Sequence, residues 1–354
     1  GGIDSSLITL FAKNFTKKLE TFSILFKEKN LSEEIYIKKV VNDLDLINYS
    51  SEFNYKNFYN DLSNCIWSFD APLSQINSVG LFNLAKLAKS RVKVLLSGEG
   101  ADEVHGGYPR LTRINFFNFL NKMLQKKIIP SSIVNKRFKM FEFNKIFSLD
   151  FNDIIILSSC VHSFKDISNL IPKIDLVNGL DSRRKMIKKI HLPNKQKSLI
   201  YEMKTYMHEL FIKQDKMTMA HSIENRVPYL DNDLVEYSLS YLANSNFDYS
   251  FIPYISKNTK KYLKRISAKY FGKSFSYRAK NGFSFPLNKI LKSNHFREPI
   301  EEEIIPQIKA NNLYAFKNII RIWKNVDKSS SSELELLFSI IAFEIWLKKF
   351  KVNV

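Results

Sequence analysis

Two loops join glycines to acidic side chains: Gly1-Gly2-Ile3-Asp4-Ser5-Ser6 and Ser97-Gly98-Glu99-Gly100-Ala101-Asp102-Glu103. Each adjoins an apolar segment. Glycine amides can approach an anion closely because no Cβ stands in the way, and a helix N-terminus behind such a loop favours negative charge. Carboxylates at the same place would repel a bare phosphate, so their presence points to a divalent cation between acid and anion. A chain with two such loops is constrained towards an α/β fold whose ligand sits beyond the carboxyl ends of its strands.

The residues between and around the loops follow that rhythm. Leu7, Ile8, Phe11, Ala12, Phe15 and Leu19 form a stripe at helical spacing. Thr21 to Phe26 reads as a strand, Ser32 as the N-cap of a helix with Glu33 and Glu34 in its first turn, Leu46 to Tyr49 as a strand, Leu81 to Ala88 as a helix and Val92 to Leu96 as a buried strand. Strands alternating with helices imply right-handed crossovers and a parallel sheet. Seven of the ten glycines lie at or before Gly107. Beyond about residue 110 helical periodicity dominates, most clearly over Leu199 to Met219 and Glu333 to Lys349, with Ser329 to Ser332 a polar turn before the last helix. The expected organisation is an α/β part over residues 1–110 and a mainly helical part over residues 111–354 packed against it.

Composition narrows the class. Among the 354 residues 45% are hydrophobic, enough for a substantial core, and no run approaches the roughly 20 apolar residues of a membrane span. Cys65 and Cys160 are too few and too far apart for a disulfide framework or a zinc site, so a reducing cytoplasm is expected. The net charge of +19 would attract polyanions, but the excess is lysine in short scattered runs such as Lys17-Lys18, Lys126-Lys127 and Lys348-Lys349. That distribution reads as solvated surface, and a nucleic-acid partner is not expected.

The first loop is neither a Walker A sequence nor a dinucleotide fingerprint, and alone it could be a glycine tail followed by an Asp N-cap. The second loop weighs against that alternative. Gly98 and Gly100 let the backbone turn beneath an adenylate, Ser97 offers a hydroxyl, and Asp4 with Asp102 makes a pair of Mg²⁺ ligands. Glu103 reads as a helix-start acid or a direct participant.

Gly1 to Ser6 resembles the Ser-Gly-Gly-x-Asp-Ser pyrophosphate motif of ATP pyrophosphatases without its leading Ser. Ser97 to Glu103 with Gly106-Gly107-Tyr108, the run Lys213 to Asp231, and Lys280-Asn281-Gly282-Phe283-Ser284-Phe285-Pro286 resemble the synthetase domain of glutamine-hydrolysing asparagine synthetases. The resemblance implies a parallel-sheet ATP-pyrophosphatase core with a largely helical C-terminal part. It also implies ATP and Mg²⁺, and adenylation of an aspartate carboxylate followed by displacement of AMP by ammonia from a glutaminase domain.

By position, Gly1, Gly2, Ser5 and Ser6 would hold pyrophosphate, Asp4 and Asp102 the Mg²⁺, Ile24 the adenine, and Ser97 and Gly98 the adenylate. Glu99 would support the β-aspartyl-AMP intermediate; related β-lactam synthetases carry Tyr there. Lys280 would neutralise the leaving pyrophosphate, or be one more surface lysine. Glu224 would orient ammonia or accept its proton, or simply pair with Arg226. Asp215 is expected to order its helix, Asp231 to cap the next one, and His221 to be packed and hydrogen-bonded.

Two departures accompany the resemblance. The glutaminase domain with its amino-terminal Cys is not in the sequence, and no strand precedes Gly1. The expectation is that this chain alone neither hydrolyses glutamine nor binds ATP well. The acceptor stays open between aspartate, a sugar acid and a peptide carboxylate. An RNA-modifying ATP pyrophosphatase and a binding-only remnant are the other readings, and homodimerisation is left open.

Overall fold

The computed structural model describes residues 1–16, 18–28, 32–128, 150–250, 256–279 and 285–352. The first strand expected forms as β1 (Glu20–Leu25), and it pairs in parallel with β2 (Ile47–Glu52), Glu20 opposite Ile47 and Leu25 opposite Glu52. β3 (Val94–Leu96) pairs in parallel with β4 (Glu224–Arg226), Val94 opposite Glu224. The expected parallel sheet is therefore two parallel pairs, and no hydrogen-bonded ladder joins them among the described residues.

β3 is less buried than its apolar sequence suggests. Leu95 packs beside a cluster of Ala85, Ala88 and Ile223, while Val94 and Leu96 are 39% and 47% exposed. A strand with one partner and one covered face leaves alternate residues open to solvent. This corrects the fully buried strand expected there.

Helices do the remaining covering. The first loop leads into the helix Ile3–Ala12, with Asp4 in its first turn where the peptide dipoles favour an acid. The helical stripe continues only as a 3₁₀ turn over Lys13–Phe15, so Leu7 is buried but Phe15 is 90% exposed. The helix runs Glu34–Leu44 with Glu33 at its N-cap position rather than the expected Ser32, whose hydroxyl accepts from the Glu34 N–H at 3.3 Å. The helix expected from Leu81 begins earlier, at Ser78, and ends at Ala88 as expected.

The long helix expected over Leu199 to Met219 is two helices, Asn194–Lys204 and Tyr206–Met219, broken at Thr205. The Thr205 hydroxyl donates to the Tyr201 carbonyl at 2.7 Å while its ψ of −78° leaves the ladder. The final helix, Ser331–Phe350, starts with a capping box: Ser330 accepts from the Glu333 N–H and Glu333 accepts from Ser330.

The largest core joins both ends of the chain. Ile24, Phe26, Phe58 and Ile66 pack with Phe296, Ile319, Leu337 and Ile341. Phe285 stands edge-on to Phe26 and to Phe53, each with ring centroids 4.9 Å apart. The C-terminal helices thus brace β1 and the helix Phe58–Phe69. A second core lies under the helices Pro109–Gln125, Phe151–Ser158 and Asn194–Lys204, including Ile114, Ile155, Leu199 and Tyr201. A bidentate fork from Arg110 to Glu202, at 2.8 and 2.7 Å, ties the first of these helices to the last. No helix among the described residues is long and apolar enough to cross a membrane.

Candidate active site

The two glycine–acid loops touch. A Cβ built on Gly98 would lie 2.7 Å from the Ser5 nitrogen and 2.8 Å from the Asp4 Cβ, closer than side chains tolerate, so only glycine permits this approach. The second loop is held at the end of β3 by the Ser97 N–H, which donates to the Arg226 carbonyl at 3.0 Å. The Ser97 hydroxyl accepts from Asn225 Nδ2 at 3.3 Å. The first loop is held from the other side: Tyr229 donates to the Asp4 carbonyl at 3.2 Å, and Arg278 donates to the Gly1 carbonyl at 2.5 Å and to Glu33 at 3.3 Å.

At the junction the side chains of Asp4 and Asp102 converge on one lysine that the sequence reading did not single out. Lys260 Nζ lies 2.7 Å from Asp4 Oδ2 and 2.7 Å from Asp102 Oδ1, with only 6% of its side chain exposed. Burial opposes the ammonium charge, yet Asp102 and Asp4 hold it above the ordinary lysine range. Gly107 is required beside them, because a Cβ there would collide with the Asp102 carboxylate and the Lys260 stem. A cavity of about 70 Å³ opens alongside, lined by Gly2, Asp4, Gly107, Lys260, Lys264 and Arg278 among others.

The cleft implied by the sequence would take a Mg²⁺ ion, and the residues suit it. Asp4 Oδ1 is buried and has no hydrogen-bond partner, Asp102 faces the same point, and hard carboxylate oxygens are the donors this ion prefers. Among the described residues no group of three acidic, His or Cys side chains gathers to hold a metal.

The Glu99 carboxyl lies in the field of Asp102 and Asp4 and of a second buried lysine, Lys213. Burial, with Asp102 and Asp4, pushes this carboxyl up, while Lys213 pulls it down. Lys213 is 2% exposed and donates to Gln75 Oε1 at 2.6 Å and Asn77 Oδ1 at 3.4 Å. Gln75 and Ser74 in turn donate to Glu209 at 2.9 and 3.0 Å. Burial pulls the Lys213 ammonium down, opposed by the charges of Glu99, Glu209 and Glu103. Glu103, 1% exposed, accepts from the Tyr108 hydroxyl. Burial and the adjacent Asp102 push its carboxyl up to about 7.

The remaining expected site residues fall in different places. Ser5 is exposed and donates to the Gly2 carbonyl at 3.2 Å, and Ser6 is buried. The Ile24 side chain packs in the main core. Glu224 lies on β4 and is more than half exposed, with its carboxylate 2.7 Å from Arg226, the pairing that was its plainer alternative. Lys280 and the residues to Ser284 lie outside the described residues.

Asp231 caps the helix Asn232–Tyr237 by accepting from Asp233 and Leu234, as its sequence position suggested. His221 is packed against Phe82 at 4.3 Å, but its Nε2 is buried with no hydrogen-bond partner among the described residues, which corrects the hydrogen-bonded histidine expected there.

A glycine loop on a helix N-terminus, meeting an acidic loop at the end of a parallel strand, defines an α/β protein of the ATP-pyrophosphatase-like class. The asparagine synthase family matches residues 1–348, and the chain belongs to that family. It is 28% identical to asparagine synthetase [glutamine-hydrolyzing] 1 of Bacillus subtilis, over 98% of this chain and 54% of that protein. It is 24% identical to a putative asparagine synthetase [glutamine-hydrolyzing] of Mycobacterium bovis, over 98% and 53%. A shorter match, 23% identical over 67% of this chain and 41% of the other, is to amidase chry2 of Gibberella zeae. The chain thus spans about half the length of the first two relatives.

Proposed function

We propose that this cleft activates a carboxylate with ATP and passes it to ammonia, with aspartate as acceptor and asparagine as product. The observation that carries the reading is the contact of the two loops through Gly98, with Asp4 and Asp102 converging on Lys260 and Glu99 in the field of both acids. The family membership and the relatives named as glutamine-hydrolyzing asparagine synthetases support the substrate choice.

In the first step a carboxylate oxygen of the acceptor attacks the α-phosphorus of ATP, the bond to the bridging oxygen breaks, and pyrophosphate leaves. In the second step ammonia attacks the acyl carbon, the bond to AMP breaks, and the nitrogen loses a proton. Little acid–base work is needed in the first step and much charge compensation. Mg²⁺ held by Asp4 and Asp102 would supply neutralisation of the phosphate charge.

The amides at the start of the helix Ile3–Ala12, including those of Gly1 and Gly2, and the hydroxyls of Ser5 and Ser6 would bind the departing pyrophosphate. Lys280 would add a positive charge to it. The backbone at Ile24 would meet the adenine, and Ser97 and Gly98 the adenylate. Glu99, in the field of Lys213, would support the β-aspartyl-AMP intermediate. Glu224, engaged by Arg226, would help only if that pair opens.

The test measures pyrophosphate release by the product of the full reading frame that contains this chain, with ATP, Mg²⁺, ammonia and a panel of carboxylates. Release that depends on aspartate supports the reading. Release only with a sugar acid or a peptide moves the acceptor, and release that depends on tRNA overturns the amide-forming scheme.

A further inference from the structure

The lysine between the two aspartates has a geometry that a merely structural ion pair does not require. Lys260 sits just before the helix Lys261–Phe271 with φ 46° and ψ 39°, the left-handed conformation that a Cβ-bearing residue avoids. That backbone aims the side chain inward, and its ammonium bridges two carboxylates contributed by loops far apart in sequence, each at 2.7 Å. The packing on the other side is fixed by Gly107, where any side chain would displace both the Asp102 carboxylate and the Lys260 stem. The remaining oxygen of Asp4, buried and unpartnered, is left for a different ligand.

We infer that Lys260 is a tethered cation occupying the metal's place between Asp4 and Asp102, so that loading the cleft is an exchange of this ammonium for the divalent ion. The inference rests on the Mg²⁺–ATP reading of the same cleft. Two carboxylates brought together without a cation repel each other and are costly to desolvate. The lysine removes that cost before nucleotide arrives. It also sets a condition on metal entry. A divalent ion arriving alone must break two charge-assisted hydrogen bonds and drive the ammonium towards a cavity whose wall already carries Lys264 and Arg278. Arriving with a polyphosphate, the ion brings the anion that receives the displaced ammonium. Lys260 is thus a positioning residue that couples metal binding to nucleotide binding and keeps the bare cleft from filling with metal.

The test is titration of the 354-residue chain with Mn²⁺ alone, followed by the paramagnetic relaxation of water protons, for the unmodified protein, Lys260→Met and Lys260→Arg. Methionine keeps the apolar stem and removes the charge, and arginine keeps the charge. The expected result is Mn²⁺ binding at least tenfold tighter in Lys260→Met than in the unmodified chain, with Lys260→Arg as weak as the unmodified chain.

If Lys260→Met is unstable without metal, its melting temperature should rise on adding millimolar Mn²⁺ while that of the unmodified chain stays put. Equal or weaker Mn²⁺ binding by Lys260→Met overturns the inference, as does tight binding by Lys260→Arg or failure of metal to raise the melting temperature of a destabilised Lys260→Met. Pyrophosphate release by the product of the full reading frame that contains this chain, recorded in parallel, separates the two claims. Release together with unchanged metal affinity in Lys260→Met sinks the exchange alone. No release with any carboxylate sinks the reading beneath it.

Discussion

Gly98→Ala tests whether the two loops form one site. The added methyl would sit 2.7 Å from the Ser5 nitrogen, 2.8 Å from the Asp4 Cβ and 2.9 Å from the Asp4 carbonyl carbon. All three atoms are backbone or next to it, so no flexible side-chain end can move aside. Relieving the clash to an ordinary contact of 3.4 Å separates the loops by about 0.7 Å. Overpacking of this kind costs about 1–3 kcal/mol of stability, and misplacing reacting groups by about 1 Å costs roughly 10²-fold in rate.

The expected outcome is a folded protein with a modestly lower melting temperature and pyrophosphate release reduced by about 10²-fold. Gly179→Ala is the control, because a Cβ there meets nothing within 4 Å on the exposed face of the helix Leu176–Lys188. It should keep full activity and gain up to about 1 kcal/mol from helix propensity. Pyrophosphate release by Gly98→Ala within about twofold of the unmodified rate would refute the reasoning, since about 0.7 Å between the loops would then not matter.

Glu103→Gln should remove a pH dependence of stability. The Glu103 carboxyl is held at about 7 against an ordinary 4.5, so the folded state binds its proton more tightly than the unfolded chain. The associated stability is fully present below about pH 4.5 and is lost as pH rises through about 7, with a ceiling of about 3 kcal/mol. Urea denaturation at pH 5 and pH 8.5 should show that loss in the unmodified protein and not in the variant; equal losses in both would contradict it.

The site was legible in the sequence where chemistry is concentrated in short runs. Glycine beside Asp in the first loop, and Ser-Gly-Glu-Gly-Ala-Asp in the second, are combinations a structural turn does not need, and the fold brings them into contact. Lys260 was not legible. It is one of 54 lysines and arginines, no neighbour marks it, and its role arises only when three distant segments meet. Lys213 was visible as part of a motif, but its burial against Gln75 and its field on Glu99 come from packing across the fold.

For the fold, strand and helix positions followed from periodicity, whereas the break at Thr205 and the exposure of Phe15 did not. Local propensity runs smoothly through Thr205, and the stripe ending at Leu19 fits a helix that the chain abandons at Ala12. The pairing of β3 with β4 joins segments on opposite sides of a long helical excursion, which no local pattern encodes.

Carboxylate adenylation is tested most directly by oxygen transfer. The acceptor that best supports pyrophosphate release is prepared with ¹⁸O in its reacting carboxylate and turned over with ATP and ammonia. The account predicts AMP carrying one ¹⁸O on its phosphate and an amide retaining the other. Unlabelled AMP, or ADP and inorganic phosphate in place of AMP and pyrophosphate, would contradict it.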